Sequence, residues 1–212
     1  MKRGADRRRT AKRLFDVVVA ALVLVVTSPL LLLIAAAVRL SGRGPVVFRQ
    51  DRVGLGGEVF RMHKFRSMRV GQEGPLVSAA GDARVTRVGR VLRKSKFDEL
   101  PQLLDVLAGH MSVVGPRPEV PRYVEQWSAA ARDVILSVRP GITDPASVEL
   151  RDEDVLLATA DDPERYYVDV LLPRKTALYV RYVESQSLGG DLRILVRTVR
   201  AVLRPGHPAA TT

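Results

Sequence analysis

The sequence contains no cysteine and few aromatic residues, which make up 5% of its 212 positions. Without cysteine, the chain cannot form a disulfide scaffold, a thiolate metal site or a thiol nucleophile. Few aromatic side chains argue against a nucleic-acid-binding surface, because such surfaces stack bases on aromatic rings. The Gly-rich signatures of Walker and dinucleotide-binding loops are also absent.

Acidic residues are the minority charge: 23 Asp and Glu stand against 34 Lys and Arg, a formal net charge of +11. Nevertheless 46% of the residues are hydrophobic, so the chain is too apolar to be disordered, and its length suffices for one domain with a substantial core. A mean hydropathy of +0.02 together with a pI near 10.6 is unusual. It indicates that apolar and cationic residues are concentrated in separate stretches.

The longest apolar stretch covers 22 residues without a charge, positions 17–38, and is interrupted near its middle by Ser28-Pro29. A membrane-spanning helix needs about 20 such residues. Seven Lys or Arg residues lie upstream of it, Lys12 and Arg13 among them, and four arginines follow within the next 14 positions. Because cationic flanks favour the cytoplasmic side, both ends of the stretch are expected there.

Two arrangements satisfy this pattern. A helix that enters the membrane, bends at Ser28-Pro29 and returns would leave both flanks on the cytoplasmic side, since proline removes a backbone donor and serine can bond a freed carbonyl. A single-pass helix with a proline kink is the alternative, in which the upstream charges outweigh those downstream. The residues alone do not decide between the two.

The rest of the chain predicts an α+β fold in which helix predominates. Short strands at 46–49 and 58–65 flank a Gly-rich turn and predict a β-hairpin, and a Gly-rich loop follows at 69–81. Apolar residues at helical spacing then dominate the sequence. Residues 163–184 predict two helices broken at Pro173.

Two cationic amphipathic segments accompany the apolar one. Residues 84–96 carry six Lys or Arg and no acid, and residues 192–204 carry arginines on one helical face and Leu or Val on another. This pattern is typical of a helix lying in the membrane interface, although a solvated amphipathic helix has the same spacing. Acidic residues concentrate at 149–164, which predicts a solvated segment facing away from the bilayer.

The densest polar constellation surrounds Asp98 and Glu99. Asp98 lies where a helix N-cap is expected, and Arg93, Lys94 and Lys96 precede it. The helix dipole and these cations should keep Asp98 ionised and attract phosphate groups. The two adjacent acids could also ligate Mg²⁺ beside phosphates. The simpler interpretation is that Asp98 is only a helix cap and Glu99 only complements the dipole.

Three further cations suit a phosphate or nucleotide ligand. Arg117 lies between Pro116 and Pro118, which stiffen the backbone and aim the guanidinium group. Arg139 begins a second arginine–proline motif, Arg-Pro-Gly-Ile-Thr, and Lys64 begins a Lys-Phe-Arg-Ser-Met segment. The alternative is a set of tight loops with incidental cations.

Six motifs occur in the order found in a known family. They are Lys12-Arg13-Leu14-Phe15-Asp16, Ser28-Pro29, Lys64-Phe65-Arg66-Ser67-Met68, Asp98-Glu99-Leu100-Pro101-Gln102, Met111-Ser112-x-x-Gly115-Pro116-Arg117-Pro118 and Arg139-Pro140-Gly141-Ile142-Thr143. Together they resemble the bacterial sugar transferases called monotopic phosphoglycosyl transferases, or polyprenyl-phosphate hexose-1-phosphate transferases. The resemblance extends over about residues 12–204 and is to the small form, a catalytic core without additional transmembrane helices.

The resemblance implies an enzyme that transfers a sugar-1-phosphate from a UDP-sugar to polyprenyl phosphate and releases UMP. Asp98 would be the nucleophile that forms a covalent phosphosugar–aspartate intermediate. Arg93 would bind the lipid phosphate, and Lys64, Arg117 and Arg139 would orient the nucleotide or its phosphates.

The cofactor implied by the resemblance is Mg²⁺. It would bridge Asp98 and phosphate oxygens, with Glu99 as a further ligand or a proton-handling group.

The resemblance also implies a location. Residues 1–44 would form a basic N-terminus and a re-entrant membrane helix bent at Ser28-Pro29, and residues 45–212 a catalytic domain on the cytoplasmic face of the bacterial inner membrane. The expected partners are a UDP-sugar, polyprenyl phosphate and anionic membrane lipids, with no nucleic acid; the oligomeric state is open, a homodimer included.

Two questions stay open at the level of sequence. The sugar is undefined, because the chain departs from the family pattern after Thr143, where Asp144-Pro145 and the acidic stretch follow. The pathway, such as exopolysaccharide or glycoconjugate synthesis, is also undefined. The rival interpretation of the charge is a membrane-anchored basic protein that binds nucleic acid or anionic lipid without catalysis.

Overall fold

The N-terminal helix passes through the predicted membrane bend without interruption. The computed structural model describes residues 2–72, 74, 77–150 and 152–203. Helix α1 spans Lys2–Leu40 and contains Pro29. Ser28 Oγ donates to the Val25 carbonyl (2.8 Å), the acceptor that loses its helical donor because proline has no amide hydrogen. The predicted role of the Ser28 hydroxyl is confirmed, whereas the helix continues through the predicted break.

Much of helix α1 is an exposed apolar surface. Arg9–Leu40 is long and apolar enough to cross a membrane by length and composition, and 11% of its most apolar 18-residue window is buried. Val25, Val26 and Leu32 are 71%, 70% and 73% exposed. The core helix of a soluble domain would bury such side chains. The path of α1 in a bilayer, including the re-entrant arrangement, stays a prediction.

The predicted β-hairpin is confirmed. Strands β1 (Val47–Val53) and β2 (Val59–Phe65) pair antiparallel along their whole lengths. β1 is longer than the predicted 46–49, because pairing with β2 carries the strand through a polar stretch that has no apolar alternation. The connecting turn places Gly56 (φ 68°) and Gly57 (φ 85°) in the left-handed region, where glycine has no steric penalty.

Three consecutive elements follow the loop after the hairpin: α2 (Arg87–Ser95), a 3₁₀ turn (Phe97–Glu99) and α3 (Gln102–Ala108). Lys96 ends α2 in a left-handed conformation (φ 60°) and redirects the chain into the turn. The predicted N-cap at Asp98 is wrong, because Asp98 lies inside the 3₁₀ turn, upstream of the first residue of α3. The 3₁₀ turn lies between this left-handed residue and α3.

A small parallel sheet brings the two arginine–proline motifs together. Strands β3 (Ser112–Val114) and β4 (Gly141–Thr143) pair in parallel. A Cβ atom on Gly115 would lie 2.5 Å from the Arg139 carbonyl oxygen, so this close approach requires glycine. The loop that carries Arg117 is therefore packed directly against the turn that begins at Arg139.

The C-terminal half is helical. Its elements are α4 (Pro121–Val124), α5 (Ala129–Ile135), α6 (Pro145–Glu149), α7 (Glu153–Thr159), α8 (Pro163–Tyr166), α9 (Leu172–Glu184) and α10 (Leu188–Leu203). A π-helical segment, Tyr167–Leu171, joins α8 to α9. The two helices predicted for residues 163–184 are present as α8 and α9, but the π-helical segment joins them without a break, and Pro173 lies in the first turn of α9. Within the acidic stretch, Leu157 of α7 is 2% exposed and packs into the core.

Two apolar clusters account for most of the core. One packs α1 against the hairpin, α3 and β3, and includes Ala20, Met62, Val106 and Met111. The other joins the helices of the C-terminal half around residues such as Trp127. The first cluster fixes the end of β2 beside α3, and so beside the 3₁₀ turn that precedes α3.

Ion pairs and hydrogen bonds fasten α1 to this core. Lys12 Nζ lies 2.8 Å from Asp16 Oδ1 and 3.0 Å from Asp191 Oδ2, which belongs to α10. Arg13 Nη1 donates to the Val106 carbonyl (2.7 Å) in the last turn of α3. A cation suits this position, because helix carbonyls there lack intrahelical donors. Lys12 and Arg13 thus have tertiary roles that the sequence did not predict, and their influence on membrane topology stays a prediction.

The last helix has the predicted amphipathic character. Leu188, Leu192, Val196 and Val199 of α10 are between 41% and 53% exposed. Arg204, the last residue of the predicted arginine stripe, lies outside the described residues. The placement of α10 in the membrane interface stays a prediction.

Candidate active site

The fold brings together four of the residues predicted from the sequence. Asp98 and Glu99 occupy the 3₁₀ turn, Lys64 lies near the end of β2, and Arg117 follows β3. Lys64 Nζ donates to Glu99 Oε1 (3.1 Å). Arg117 Nη1 donates to Glu99 Oε2 (3.1 Å), and Arg117 Nη2 donates to Glu99 Oε1. Glu99 therefore binds one lysine and, through both of its oxygens, the fork of one arginine.

The charges of this cluster stabilise one another. Burial alone would raise the pKa of Glu99, but the positive charges of Arg117 and Lys64 outweigh burial and hold that pKa well below its usual range. Burial lowers the pKa of Lys64 to about 8, against the opposing charge of Glu99. The charge of Glu99 raises the pKa of Arg117 well above its usual value. Two cations against one carboxylate leave a net positive charge next to Asp98.

Asp98 differs from Glu99 in having an oxygen without a partner. Its side chain is buried, with 8% of the residue exposed, and Oδ1 has no hydrogen-bond partner among the described residues. Burial, and then the negative charge of Glu99, raise the pKa of Asp98 to about 6. Most native carboxylate oxygens that are this buried are hydrogen-bonded, so the unpartnered Oδ1 makes Asp98 a candidate for contact with a ligand.

The predicted electrostatic state of Asp98 needs a correction. The sequence suggested that the helix dipole and neighbouring cations keep Asp98 ionised, which would lower its pKa. Lys64, Lys96 and Arg93 do act in that direction, but burial and Glu99 outweigh them. Asp98 is therefore a carboxylate whose ionised form is poorly solvated, and this suits a nucleophile.

The other two predicted cations lie outside the Glu99 cluster. Arg93 Nη1 donates to Ser78 Oγ (3.0 Å), and its charge acts on Asp98 from the last turn of α2. Arg139 Nε donates to the Gly109 carbonyl (2.8 Å) at the end of α3. The ligand-binding roles of both arginines stay predictions.

The carboxylates can be compared with what Mg²⁺ requires. The described residues contain no group of three or more His, Asp or Glu side chains that could hold a metal ion. Asp98 Oδ1 is an oxygen without a partner, whereas the oxygens of Glu99 accept from Lys64 and Arg117. Mg²⁺ is commonly bound by one or two carboxylates, substrate phosphates and water rather than by a complete protein cage. Asp98 fits the first role, and Glu99 would have to exchange a cation for the metal.

Sequence reasoning missed a second buried cluster behind Arg117. Glu119 lies between Arg52 and Lys175, with Arg52 Nη1 3.6 Å from Glu119 Oε2 and Lys175 Nζ 3.5 Å from Glu119 Oε1. Tyr167 donates its hydroxyl hydrogen to Glu119 Oε1 (2.6 Å). Arg52 was recognisable only as one more cation, and Tyr167 and Lys175 belong to helices that carry no motif.

An unpartnered carboxylate oxygen, surrounded by cations and next to a second carboxylate that two of them neutralise, defines a site suited to phosphoryl transfer. The comparisons agree with this class. Residues 7–205 match the sequence profile of the family described as bacterial sugar transferase. The chain belongs to this family, and it is an enzyme of the phosphoglycosyl transferase class.

Relatives named as undecaprenyl-phosphate sugar transferases match most of the chain. The chain is 43% identical over 196 residues to the UDP-glucose:undecaprenyl-phosphate glucose-1-phosphate transferase of Caulobacter vibrioides, which covers 91% of this chain and 69% of that protein. It is 39% identical over 196 residues to the Escherichia coli protein of the same name, covering 90% of this chain and 40% of that protein. It is 39% identical over 173 residues to the UDP-N-acetylgalactosamine-undecaprenyl-phosphate N-acetylgalactosaminephosphotransferase of Aeromonas hydrophila, covering 80% of this chain and 38% of that protein. The chain thus spans about two fifths of the last two relatives.

Proposed function

We propose that this protein transfers a sugar-1-phosphate from a UDP-sugar to polyprenyl phosphate, with undecaprenyl phosphate as the acceptor, and releases UMP. The observation that carries the proposal is the unpartnered, buried Oδ1 of Asp98 beside the cation-bound Glu99. The names of the relatives, which specify sugar-phosphate transfer to undecaprenyl phosphate, support the same reaction.

The reaction proceeds in two displacements at one phosphorus atom. Asp98 Oδ1 attacks the sugar-bearing phosphorus of the donor, an oxygen–phosphorus bond forms, the pyrophosphate bond breaks, and UMP leaves with the bonding electrons. An oxygen of the polyprenyl phosphate then attacks the same phosphorus and displaces the Asp98 carboxylate. The product is a polyprenyl diphosphate sugar, and the enzyme returns to its starting state.

The cations around the turn would hold the charged groups in place. Arg117 and Lys64 together exceed the charge of Glu99 by one, so they can contact the donor phosphates while Glu99 keeps them fixed. Arg93, which acts on Asp98 from α2, would bind the lipid phosphate. Arg139 would contact the nucleotide from the turn packed against the Arg117 loop.

Mg²⁺ would be held by Asp98 and by donor phosphate oxygens, with Glu99 as a further ligand once it releases a cation. The ion would supply Lewis-acid neutralisation of phosphate charge. The protein residues supply the orientation of the nucleophile and the exclusion of water around it.

We place the enzyme on the cytoplasmic face of the bacterial inner membrane. The exposed apolar surfaces of α1 and α10 support membrane attachment, with the surrounding cations against anionic lipid headgroups. The proposed step is the first membrane step of exopolysaccharide or glycoconjugate synthesis. Because the relatives are named for different sugars, glucose and N-acetylgalactosamine, the donor sugar has to be determined by experiment.

The direct test measures UMP release by the purified protein. The protein would be incubated with Mg²⁺, undecaprenyl phosphate and a panel of UDP-sugars that includes UDP-glucose and UDP-N-acetylgalactosamine. We expect UMP with one or a few of these donors, and a sugar-phosphate adduct on the intact protein when the lipid is omitted. No UMP from any donor would refute the proposal.

Membrane topology has a separate test. Cysteines introduced at Ala5 and at the C-terminus would be labelled from one side of sealed inverted vesicles if α1 re-enters the membrane. Labelling from opposite sides would show that α1 spans it.

A further inference from the structure

The backbone of the loop that carries Arg117 is hydrogen-bonded to residues of β1. Arg52 Nη1 donates to the Pro118 carbonyl (2.9 Å), and the Val53 amide donates to the Glu119 carbonyl (2.9 Å). Both acceptors lie within two residues of Arg117. The backbone on the C-terminal side of Arg117 is therefore fixed by two hydrogen bonds to one strand.

The Glu119 side chain continues this attachment into the C-terminal helices. Tyr167 donates to Glu119 Oε1 (2.6 Å), and Lys175 Nζ donates in turn to the Tyr167 hydroxyl (3.0 Å). Lys175 also lies 4.8 Å from the centre of the Tyr167 ring. The side chains of Glu119 and Lys175 are 4% and 6% exposed, so water does not substitute for these contacts.

The backbone around Tyr167 is itself unusual. Tyr167 is the first residue of the π-helical segment between α8 and α9. Such wide turns are rare and occur frequently at functional sites. Here the turn places the Tyr167 hydroxyl against Glu119 while α9 brings Lys175 to the same point.

Stability alone is a weak reason for such a cluster. Buried ion pairs lose hydration when they fold, and apolar residues of similar volume often stabilise a core as well or better. A gain in geometric precision is a stronger reason, because the cluster ends on the two residues that follow Arg117.

We infer that Arg52, Glu119, Tyr167 and Lys175 form a positioning network for Arg117, which sets its guanidinium group against Glu99 and hence against the donor diphosphate. None of the four need touch the substrate. The inference rests on the proposed function, because it assigns Arg117 to the donor.

A matched pair of tyrosines tests this network. The rings of Tyr123 and Tyr167 are in tilted contact, with centres 4.8 Å apart, but the buried Tyr123 hydroxyl has no hydrogen-bond partner among the described residues. Tyr167→Phe therefore removes a network hydroxyl, and Tyr123→Phe removes an unpaired hydroxyl from the same pair of rings. For Tyr167→Phe we expect the KM for the UDP-sugar to rise about tenfold, the size typical for loss of a buried hydrogen bond to a charged group.

The same variant should leave the KM for undecaprenyl phosphate within about twofold, since Arg93, the proposed contact of the lipid phosphate, lies in α2 and outside the network. Tyr123→Phe should leave both values unchanged. Equal effects of the two variants, or equal changes in both KM values for Tyr167→Phe, would overturn the network. A shift in unfolding temperature without a change in donor KM would overturn it as well.

A second pair covers the case in which Tyr167→Phe does not fold. Arg52→Lys keeps a positive charge that can reach Glu119, whereas Arg52→Gln removes this charge. We expect the lysine variant to retain most of the donor affinity that the glutamine variant loses, and identical donor KM values would contradict the inference. If the unaltered protein releases no UMP, the proposed function itself fails; if it does and the variants behave like Tyr123→Phe, only the positioning role fails.

Discussion

Two glutamates, one half-buried and one buried, each pair with one lysine and one arginine. Glu99 lies between Lys64 and Arg117, and Glu119 lies between Arg52 and Lys175. We call the cluster around Glu119 closed, because a cation lies near each of its oxygens and Oε1 also accepts from Tyr167.

The cluster around Glu99 is open on one side, where Asp98 Oδ1 has no partner among the described residues. Under the proposed function, the closed cluster would fix the geometry of the site, and the unpartnered oxygen beside the open cluster would be available to the substrate.

The strongest test of this comparison is to replace Asp98, which carries the oxygen without a hydrogen-bond partner. Asp98→Asn should lower turnover by at least about three orders of magnitude and abolish the covalent adduct, because an amide is no nucleophile toward phosphorus. UMP release and intact-protein mass measure both effects. Asp105→Asn is the control, since Asp105 is buried but already bonded to His63. It should retain activity within about threefold, and turnover in Asp98→Asn would exclude Asp98 as nucleophile.

The next largest effect should follow from opening the Glu99 cluster. Glu99→Gln removes the charge that holds Lys64 and Arg117, and Arg117→Lys removes the fork that binds both Glu99 oxygens. We expect each to reduce kcat/KM for the donor by about ten- to a hundredfold. Steady-state kinetics with varied UDP-sugar measure the loss. If either variant had wild-type kinetics, the cluster would have no part in donor binding.

The pH dependence of adduct formation should report the raised pKa of Asp98, about 6. The attacking form is the carboxylate, so the rate of the initial UMP burst should fall about tenfold per pH unit below that value. Rapid-quench measurements between about pH 4.5 and 8 would follow it. Since adduct formation requires the ionised group, a burst that is constant down to about pH 4.5 would contradict the raised pKa.

Stability should move in the opposite direction to activity. Because the folded-state pKa of Asp98 is raised, its ionisation destabilises the folded protein progressively between about pH 4 and 6, and the full penalty is present above that range. Asp98→Asn should therefore raise the free energy of unfolding by about 1–3 kcal/mol near pH 7.5 and by almost nothing near pH 4. Thermal unfolding in detergent at the two pH values measures the difference. A loss of stability at pH 7.5 would show that burial does not strain this carboxylate.

The smallest effect should come from the outer edge of the closed cluster. Glu153 lies 3.2 Å from Lys175 Nζ and is 29% exposed, while Lys175 keeps Glu119 and Tyr167 as partners. Glu153→Gln should therefore change activity by less than about twofold and unfolding free energy by less than about 1 kcal/mol. A large loss of donor affinity would extend the positioning network to α7.

The sequence was most informative where the chemistry is local. Two short strands around the turn that contains Gly56 and Gly57 predicted the hairpin, and the Asp98-Glu99 pair and the Pro-flanked Arg117 were recognisable as candidates for one site. These residues come together because β2, β3 and the 3₁₀ turn pack around a shared core. The periodicity of apolar residues in the sequence does not indicate which elements pack together. The family resemblance supplied the grouping instead.

The wrong predictions share one physical cause, because each depends on the tertiary structure around the residue. The cap at Asp98 failed because Lys96 adopts a left-handed conformation, which only the folded chain selects. The charges near Asp98 in the sequence predicted a lowered pKa for its carboxyl group. That prediction left out the burial of the side chain, which the sequence does not reveal. Glu119, Tyr167 and Lys175 were missed because their contacts join residues 8–56 positions apart in the chain.

The bond from Arg13 to the end of α3 has a consequence for catalysis at a surface. The same short helix has the apolar segment fastened to its last turn and the Asp98-Glu99 turn directly before its first, a separation of about 10 Å along the axis for seven residues. In the proposed membrane-bound state, a change in the depth of α1 in the lipid would therefore move the Asp98-Glu99 turn as well. This link would set the height of Asp98 relative to the acceptor phosphates, so that an acceptor would reach it by diffusion within the plane of the membrane.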